Sequence, residues 1–283
     1  MQRAVVIGGG TMGVGIAYVL ACAEVDVGLV DASAELAAAA VARAGGLVDG
    51  AVARGRLTDP GEVRARLHPL ARVEDAGPVD VVIEAVPERA ELKRAVLAGA
   101  ERALAPALLA TNTSGISIDD LAGALSAPDR FLGLHFFNPV PAMALVEVVV
   151  GAATADAARQ AALALIDRIG KTPVVVADAP GFATSRLGVA LGLEAIRMVE
   201  QGVAEPADID RAMELGYRHP IGPLRLTDLV GLDVRLDIAR NLAAAYGPRF
   251  DPPQLLVDLV AQGRLGKKTG RGFYDWPDAT ADG

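Results

Sequence analysis

The stretch GLHFFNPVPAMALVEVV, residues 133–149, is nearly all apolar, yet it carries His135 and, twelve residues later, Glu147. An imidazole and a carboxylate in such surroundings can satisfy each other inside a core, or they can move protons. If the chain reverses about Pro141, residues whose numbers sum to 282 face each other, and His135 and Glu147 meet that sum. Opposed residues of an antiparallel pair sit about 5 Å apart at Cβ, within reach of a side-chain hydrogen bond. A carboxylate on one ring nitrogen fixes the tautomer and orientation of the ring and stabilises imidazolium. His135 would then serve as general base or acid, with Glu147 as its support. Glu147 as the direct base is the weaker expectation, because an ionised glutamate is less basic than imidazole.

Near the N-terminus, GGGTMG places Gly8, Gly10 and Gly13 in the order G-x-G-x-x-G, with Thr11 and Met12 inside the turn. In a chain with 31 glycines the pattern alone says little, and a glycine-rich turn with a capping aspartate is the plain alternative. Context strengthens it. The apolar run RAVVIG (3–8) precedes it, a helix-forming stretch to about Ala23 follows, and Asp31 closes a second apolar run, VGLVD (27–31). This is the setting of a dinucleotide fingerprint. Gly8 permits the tight turn, Gly10 lets a pyrophosphate approach the backbone, and Gly13 lets helix and strand pack closely. The helix N-terminus stabilises the phosphate charge. Asp31 would accept hydrogen bonds from the adenosine ribose and repel a 2′-phosphate, and Ala32 and Ser33 offer no cation to hold one. NAD is therefore expected rather than NADP. With such a cofactor, His135 would take the proton of an alcohol whose carbinol hydride leaves to the nicotinamide.

The elements that position these residues follow from the alternation of short apolar runs with helical stretches. Strands are expected at 3–8, 27–31, 79–86, 107–114 and 172–178, and helices to about Ala23 and Arg56 and over 88–104 and 154–169. That order predicts a parallel sheet covered on both faces, binding its ligand at the strand carboxyl ends. After Pro180-Gly181 only helices are expected, at 181–201, 206–216, 223–246 and 252–262. The expected organisation is α/β: a Rossmann-type domain over 1–180 and an all-α domain over 181–283. The tail after Trp276 is small and polar and is expected to fray.

Of the 283 residues, 52% are hydrophobic and the formal net charge is -8. Basic clusters with interleaved aromatics are missing, so no nucleic-acid partner is expected. Residues 3–30 imitate a signal peptide, but the glycines from Gly8 to Gly15 and the charges Glu24 and Asp26 argue against one. No membrane span is expected elsewhere. The single cysteine, Cys22, excludes an internal disulfide and a multi-cysteine metal site. No metal is expected, Cys22 is read as a small buried residue, and the compartment as a reducing cytoplasm.

VIGGGTMGVGIA, VVIEAVPE followed by Lys93, TNTSGISI, GLHFFNPVPAMALVEVV, DAPGF, ADIDRAMELGYRHPIGPLRLTDLVGLD and GKKTGRGFYDW run the length of the chain. Together they resemble the L-3-hydroxyacyl-CoA dehydrogenases, and the size matches the short 3-hydroxybutyryl-CoA type. The resemblance implies a helical, dimerising second domain and a substrate cleft between the domains. It implies reversible NAD-dependent oxidation of an acyl-CoA 3-hydroxyl and places His135 and Glu147 on the family's catalytic pair. Ser114 falls on the serine near the substrate 3-oxygen and the nicotinamide. Asn138, Glu88, Lys93 and Lys268 fall on cofactor-contacting positions. Lys93 and Lys268 are two of only four lysines. Arg54 and Arg56 fall where the family has basic residues near coenzyme A, with Arg64 and Arg66 as further candidates. All four could equally be solvated surface charges.

The chain also departs from the family. Ser185 stands where an asparagine usually helps hold the thioester; it either keeps part of that role or bonds only locally at a helix start. Ala144 stands where a lysine is frequent, and nothing in the sequence explains it. His68 and His219 read as structural. Relatives of this architecture oxidise free hydroxy acids such as L-gulonate, or carnitine, and some lens crystallins of the superfamily are not enzymes. Both remain alternatives at the level of sequence.

Overall fold

The computed structural model describes residues 1–277, so the tail expected to fray lies, from residue 278, outside the described residues. The chain divides into two units, Met1–Phe182 and Ala183–Gly283. The first unit holds strands β1 (Arg3–Ile7), β2 (Asp26–Val30), β3 (Leu67–Leu70), β4 (Val81–Glu84), β5 (Leu108–Thr111), β6 (Phe131–Phe136), β7 (Leu145–Val150) and β8 (Thr172–Ala177). They form one sheet in the order β3-β2-β1-β4-β5-β6-β7-β8. Neighbours are parallel except β6 and β7, which are antiparallel.

Helices cover both faces, which is why β1 and β4 are continuous apolar runs. Helices α1 (Thr11–Cys22) and α2 (Ala34–Ala53) pack on one side, with α3 (Pro60–Ala65) beside them. Helices α4 (Ala90–Leu104) and α5 (Ile118–Ala122) pack on the other, and α6 (Asp156–Arg168) joins the α1 side. Ser33 starts α2 by accepting a hydrogen bond from the Leu36 N–H at 3.3 Å. By length and composition α2 is apolar enough to cross a membrane. Its stripe Ala37, Ala40, Ala44, Val48 and Ala51 is instead buried against the sheet side of this unit.

The second unit contains α7 (Thr184–Glu200), α8 (Pro206–Tyr217), α9 (Pro223–Val230), α10 (Leu232–Tyr246) and α11 (Gln254–Ala261). Its core is built on Val189, Leu193, Ile196, Leu224, Leu236 and Leu256. Two buried aspartates organise it. Asp210 accepts from the Leu224 and Arg225 N–H groups at the start of α9 and from the Tyr274 hydroxyl. Asp228 accepts from the Phe273 and Tyr274 N–H groups and from the Trp276 indole. These bonds are what the sequences IGPL and GFYDW encode.

The structure corrects the sequence reading in three places. The single helix expected over 223–246 is two, because Gly231 has φ 104° and a right-handed helix cannot pass through it. Strand β3 is too short to announce itself, and its Pro69 is tolerated because β3 is an edge. Cys22 is exposed rather than buried, because α1 ends there with its last turn open to a surface cavity.

Gly13 shows how tightly the first turn is built: a Cβ there would overlap the Gly8 carbonyl oxygen. Gly13→Ala is expected to lower stability by about 1–3 kcal/mol and to weaken NAD binding, read from urea unfolding midpoints and cofactor titration. An unchanged midpoint would show that helix and strand are not in contact there.

Candidate active site

The reversal about Pro141 is present, with His135 paired to Glu147 in the β6–β7 register. The His135 Nδ1 lies 2.7 Å from Glu147 Oε2. His135 is 7% exposed and Glu147 is fully buried. A carboxylate only accepts, so Nδ1 carries the proton and Nε2 of the neutral ring is left as the base. The rings of Phe137 and Phe182 stand 4.4 Å and 5.8 Å from the imidazole, centroid to centroid, and keep its surroundings apolar.

His135 opens into a cleft of about 620 Å³ shared with Gly8, Gly10, Asp31, Glu88, Ser114 and Asn138. The sheet explains the meeting, since all of these lie at or just beyond strand carboxyl ends. Gly8 adopts φ 108°, and a Cβ on it would press on the Ala85 carbonyl and Val86 nitrogen. A Cβ at Gly10 would meet nothing within 4 Å, so the start of α1 is open on that side. The cradle fits a dinucleotide: open N–H groups at a helix start, glycine backbone free of side chains, and Asp31 beyond. A second, apolar cavity of about 610 Å³ continues past Asp31 between Val30, Val73, Val86 and Val96, suited to a flat base.

Two parts of this cradle escaped the sequence reading. Gly9 is required as well, because a Cβ on it would lie 2.6 Å from Asp31 Oδ2. Its N–H donates to that oxygen at 2.8 Å, and the Ala32 N–H donates to Oδ1 at 2.6 Å, so Asp31 shapes the turn. Arg43 of α2 donates to the Gly9 carbonyl. The third consecutive glycine was the available signal for Gly9; nothing in the sequence pointed to Arg43.

The polar ends of β4 and β5 form a connected set. Glu84, fully buried, accepts from Lys93 Nζ at 2.8 Å, the Val86 N–H at 2.6 Å and the Thr111 hydroxyl at 2.6 Å. Lys93 is itself fully buried and reaches Glu88 Oε2 at 3.3 Å. Glu88 Oε1 accepts from Thr113 Oγ1 at 2.6 Å and from the N–H and hydroxyl of Ser114 at 2.8 Å and 3.1 Å. Burial alone would raise the Glu88 carboxyl, but the bonds from Thr113 and Ser114 and the charge on Lys93 hold it below the usual glutamate value. Lys93 therefore reaches the cleft through Glu88. The Asn112 side chain accepts from the Phe136 N–H at 2.9 Å, so every polar residue of TNTS is engaged.

The remaining expected residues lie elsewhere. Ser185 occupies the first turn of α7, and Lys268 pairs with Asp233 at 2.6 Å in the second unit. Arg54 and Arg56 line a separate cavity of about 590 Å³ in the first unit, together with Arg168 and Lys171. No carboxylate lines it. Arg64 and Arg66 do not join them, being paired on the surface with Asp49 and Glu62. His68 bonds Asp26 at 2.7 Å on the exposed end of β3.

Residues 3–179 match the NAD binding domain of 3-hydroxyacyl-CoA dehydrogenase, and residues 181–276 match the C-terminal domain of the same enzymes. The chain belongs to the 3-hydroxyacyl-CoA dehydrogenase family. It is an NAD-dependent oxidoreductase of that family. It is 40% identical over 283 residues to the 3-hydroxybutyryl-CoA dehydrogenase of Bradyrhizobium diazoefficiens, covering 99% of this chain and 97% of that one. It is 42% identical over 281 residues to the 3-hydroxyadipyl-CoA dehydrogenase of Escherichia coli, covering 98% of this chain and 59% of the relative. The crystal structure of (S)-3-hydroxybutyryl-CoA dehydrogenase from Ralstonia eutropha superposes with a TM-score of 0.93 at 39% identity, covering 98% and 99% of the two chains.

The network of this 3-hydroxyacyl-CoA dehydrogenase makes a stability prediction. Lys93→Met leaves Glu84 buried without its cation and is expected to cost about 3–5 kcal/mol, with the double variant Lys93→Met/Glu84→Gln recovering part of the loss in denaturant titrations. Additive losses would mean the two do not act as a pair. The pH sign follows from Glu88. Its folded value lies below the unfolded one, so its contribution is complete above the ordinary glutamate range and is lost as pH falls through the lower folded value.

Proposed function

We propose that this chain oxidises the 3-hydroxyl of an L-3-hydroxyacyl-CoA to the 3-ketone, with His135 as general base and Glu147 as its support. The observation that carries this is the buried 2.7 Å contact between them, opening into the same cleft as the glycine turn. The Nε2 of His135 takes the hydroxyl proton, and Glu147 stabilises the imidazolium that results. Bound NAD supplies the hydride acceptor for C3. Ser114 lines the cleft, and its hydroxyl turns from Glu88 to hold the substrate 3-oxygen. In the reverse direction His135 returns the proton. Gly8, Gly10, Thr11, Met12, Gly13 and Asp31 hold the cofactor, with Glu88 and Asn138 beside it and Lys93 acting through Glu88. Lys268 is kept as a cofactor contact on the strength of the family alone.

Coenzyme A is anionic, and the cavity bearing Arg54, Arg56, Arg168 and Lys171 without a carboxylate supports its binding. Lys171 donates to the Val140 and Met143 carbonyls, and Arg168 to those of Ala23 and Glu24, so their charges are not cancelled by acids. A free hydroxy acid would leave this cavity without a ligand. Ser185 retains a donor for the thioester but with a shorter reach than asparagine.

Purified enzyme with 3-hydroxybutyryl-CoA is expected to produce NADH, to do so poorly with NADP, and to act far less on free 3-hydroxybutyrate. His135→Ala should lose at least a hundredfold in kcat while NAD binding persists. Turnover that survives His135→Ala removes it from the chemistry.

We further place the enzyme in the cytoplasm as a homodimer. The unpaired thiol of Cys22 suits a reducing compartment. The second unit exposes Leu215 and Tyr217, each at 76%, and Leu229, Val230 and Val234 at 40–44%. So much uncovered apolar surface supports a contact between copies. Light scattering should give a dimer, with Tyr217→Glu shifting it toward monomer; a monomeric wild type discards the dimer.

A further inference from the structure

The buried stripe of α10 runs Leu232, Arg235, Leu236, Ala239 and Leu242. One member is an arginine. Its side chain belongs to a residue only 7% exposed, and its Nε has no hydrogen-bond partner. Burial pushes the guanidinium down to about 10, with no neighbouring charge offsetting it. The closest acid along the helix, Asp233, is committed to Lys268 at 2.6 Å. A buried cation without an anion is a costly arrangement that proteins keep at sites with a use for it.

The guanidinium has a made place. A Cβ on Gly188 of α7 would lie 3.2 Å from Arg235 Nη1, so the glycine leaves room for it. One turn further along, a Cβ on Gly192 would meet the Thr227 hydroxyl at 3.1 Å. Ser185, Gly188 and Gly192 share one face of α7, since residues three and four apart in a helix are neighbours. Arg235 thus stands one turn from Ser185, the position that the family reserves for the thioester end of the substrate. The rise between residues 185 and 188 is about 4.5 Å, the span of a few methylenes.

We propose that Arg235 is a carboxylate receptor that makes this enzyme selective for acyl chains ending in a second carboxylate, such as 3-hydroxyadipyl-CoA. This rests on the dehydrogenase reading above. A guanidinium presents paired N–H donors that match a carboxylate in two parallel hydrogen bonds. An acyl chain lying along the small-residue face would bring its distal carboxylate to Arg235 while its thioester remains beside Ser185. The serine found in place of asparagine, and the two glycines beyond it, widen that path.

The test compares two thioesters of equal length, 3-hydroxyadipyl-CoA and 3-hydroxyhexanoyl-CoA, with the full-length enzyme and saturating NAD. The ratio of their kcat/KM values is expected to exceed ten in favour of the diacid. It should fall at least tenfold in Arg235→Met and only partly in Arg235→Lys. A ratio near one in the wild type, or a ratio that Arg235→Met leaves unchanged, overturns the proposal. The melting temperature of Arg235→Met should equal or exceed that of the wild type, because an unpaired buried cation is gone; a large drop would mark Arg235 as a structural residue and overturn it as well. If hexanoyl and adipyl esters are oxidised equally, only this inference falls. If neither yields NADH, the dehydrogenase reading falls and takes this one with it.

Discussion

The hydrogen bond between His135 and Glu147 is the constraint on which the rest of the first unit depends. A carboxylate taken wholly out of water must be compensated, and the imidazole compensates it only in one register. A slip of one residue would turn both side chains to opposite faces and leave Glu147 in an apolar layer with Val146 and Val148 as its strand neighbours. The inverted direction of β7 among parallel strands follows from the same need. A chain reversal is the only connection short enough to return Glu147 to His135 within twelve residues. The low polarity around the pair strengthens the electrostatic interaction between them, and Phe137 and Phe182 maintain that low polarity.

A second buried charge system stands two strands away and works by a different rule. Glu84 and Lys93 neutralise each other completely out of solvent. Because Lys93 also touches Glu88, the cleft receives a carboxylate already tethered in place, and Ser114 is bonded to it by both N–H and hydroxyl. The cleft wall is therefore set before any ligand arrives. Such preorganisation costs the fold stability and spares the reaction the work of ordering polar groups.

The features legible in the sequence were those that chain geometry fixes locally. The glycine turn could be read because each glycine answers a steric demand within a few residues, and β6 and β7 because their turn residues and period are contiguous. Glu84 was missed because a glutamate ending an apolar run is indistinguishable from any strand terminus until its partners Thr111 and Lys93 are brought in from other elements. Arg43 reaches Gly9 across 34 residues and Asp31 reaches it across 22; no local pattern encodes either. The break at Gly231 was hidden by good helix formers on both sides, since one glycine within such a run does not by itself declare a positive φ. Arg235 was hidden by its stripe, whose apolar spacing reads as ordinary core on either side of it.

The position of β1 has a consequence for how the protein is made. It is the first strand synthesised, yet it lies inside the sheet between β2 and β4. Gly8 rests against the backbone of Ala85 and Val86, which leave the ribosome more than seventy residues later. The nascent N-terminal segment consequently emerges with its dinucleotide turn half-walled. Cofactor cannot serve as an early template for the growing chain. The turn acquires its final shape only when β4 docks, so the apolar RAVVIG segment must be sheltered during that interval by α1 and β2 alone or by a chaperone.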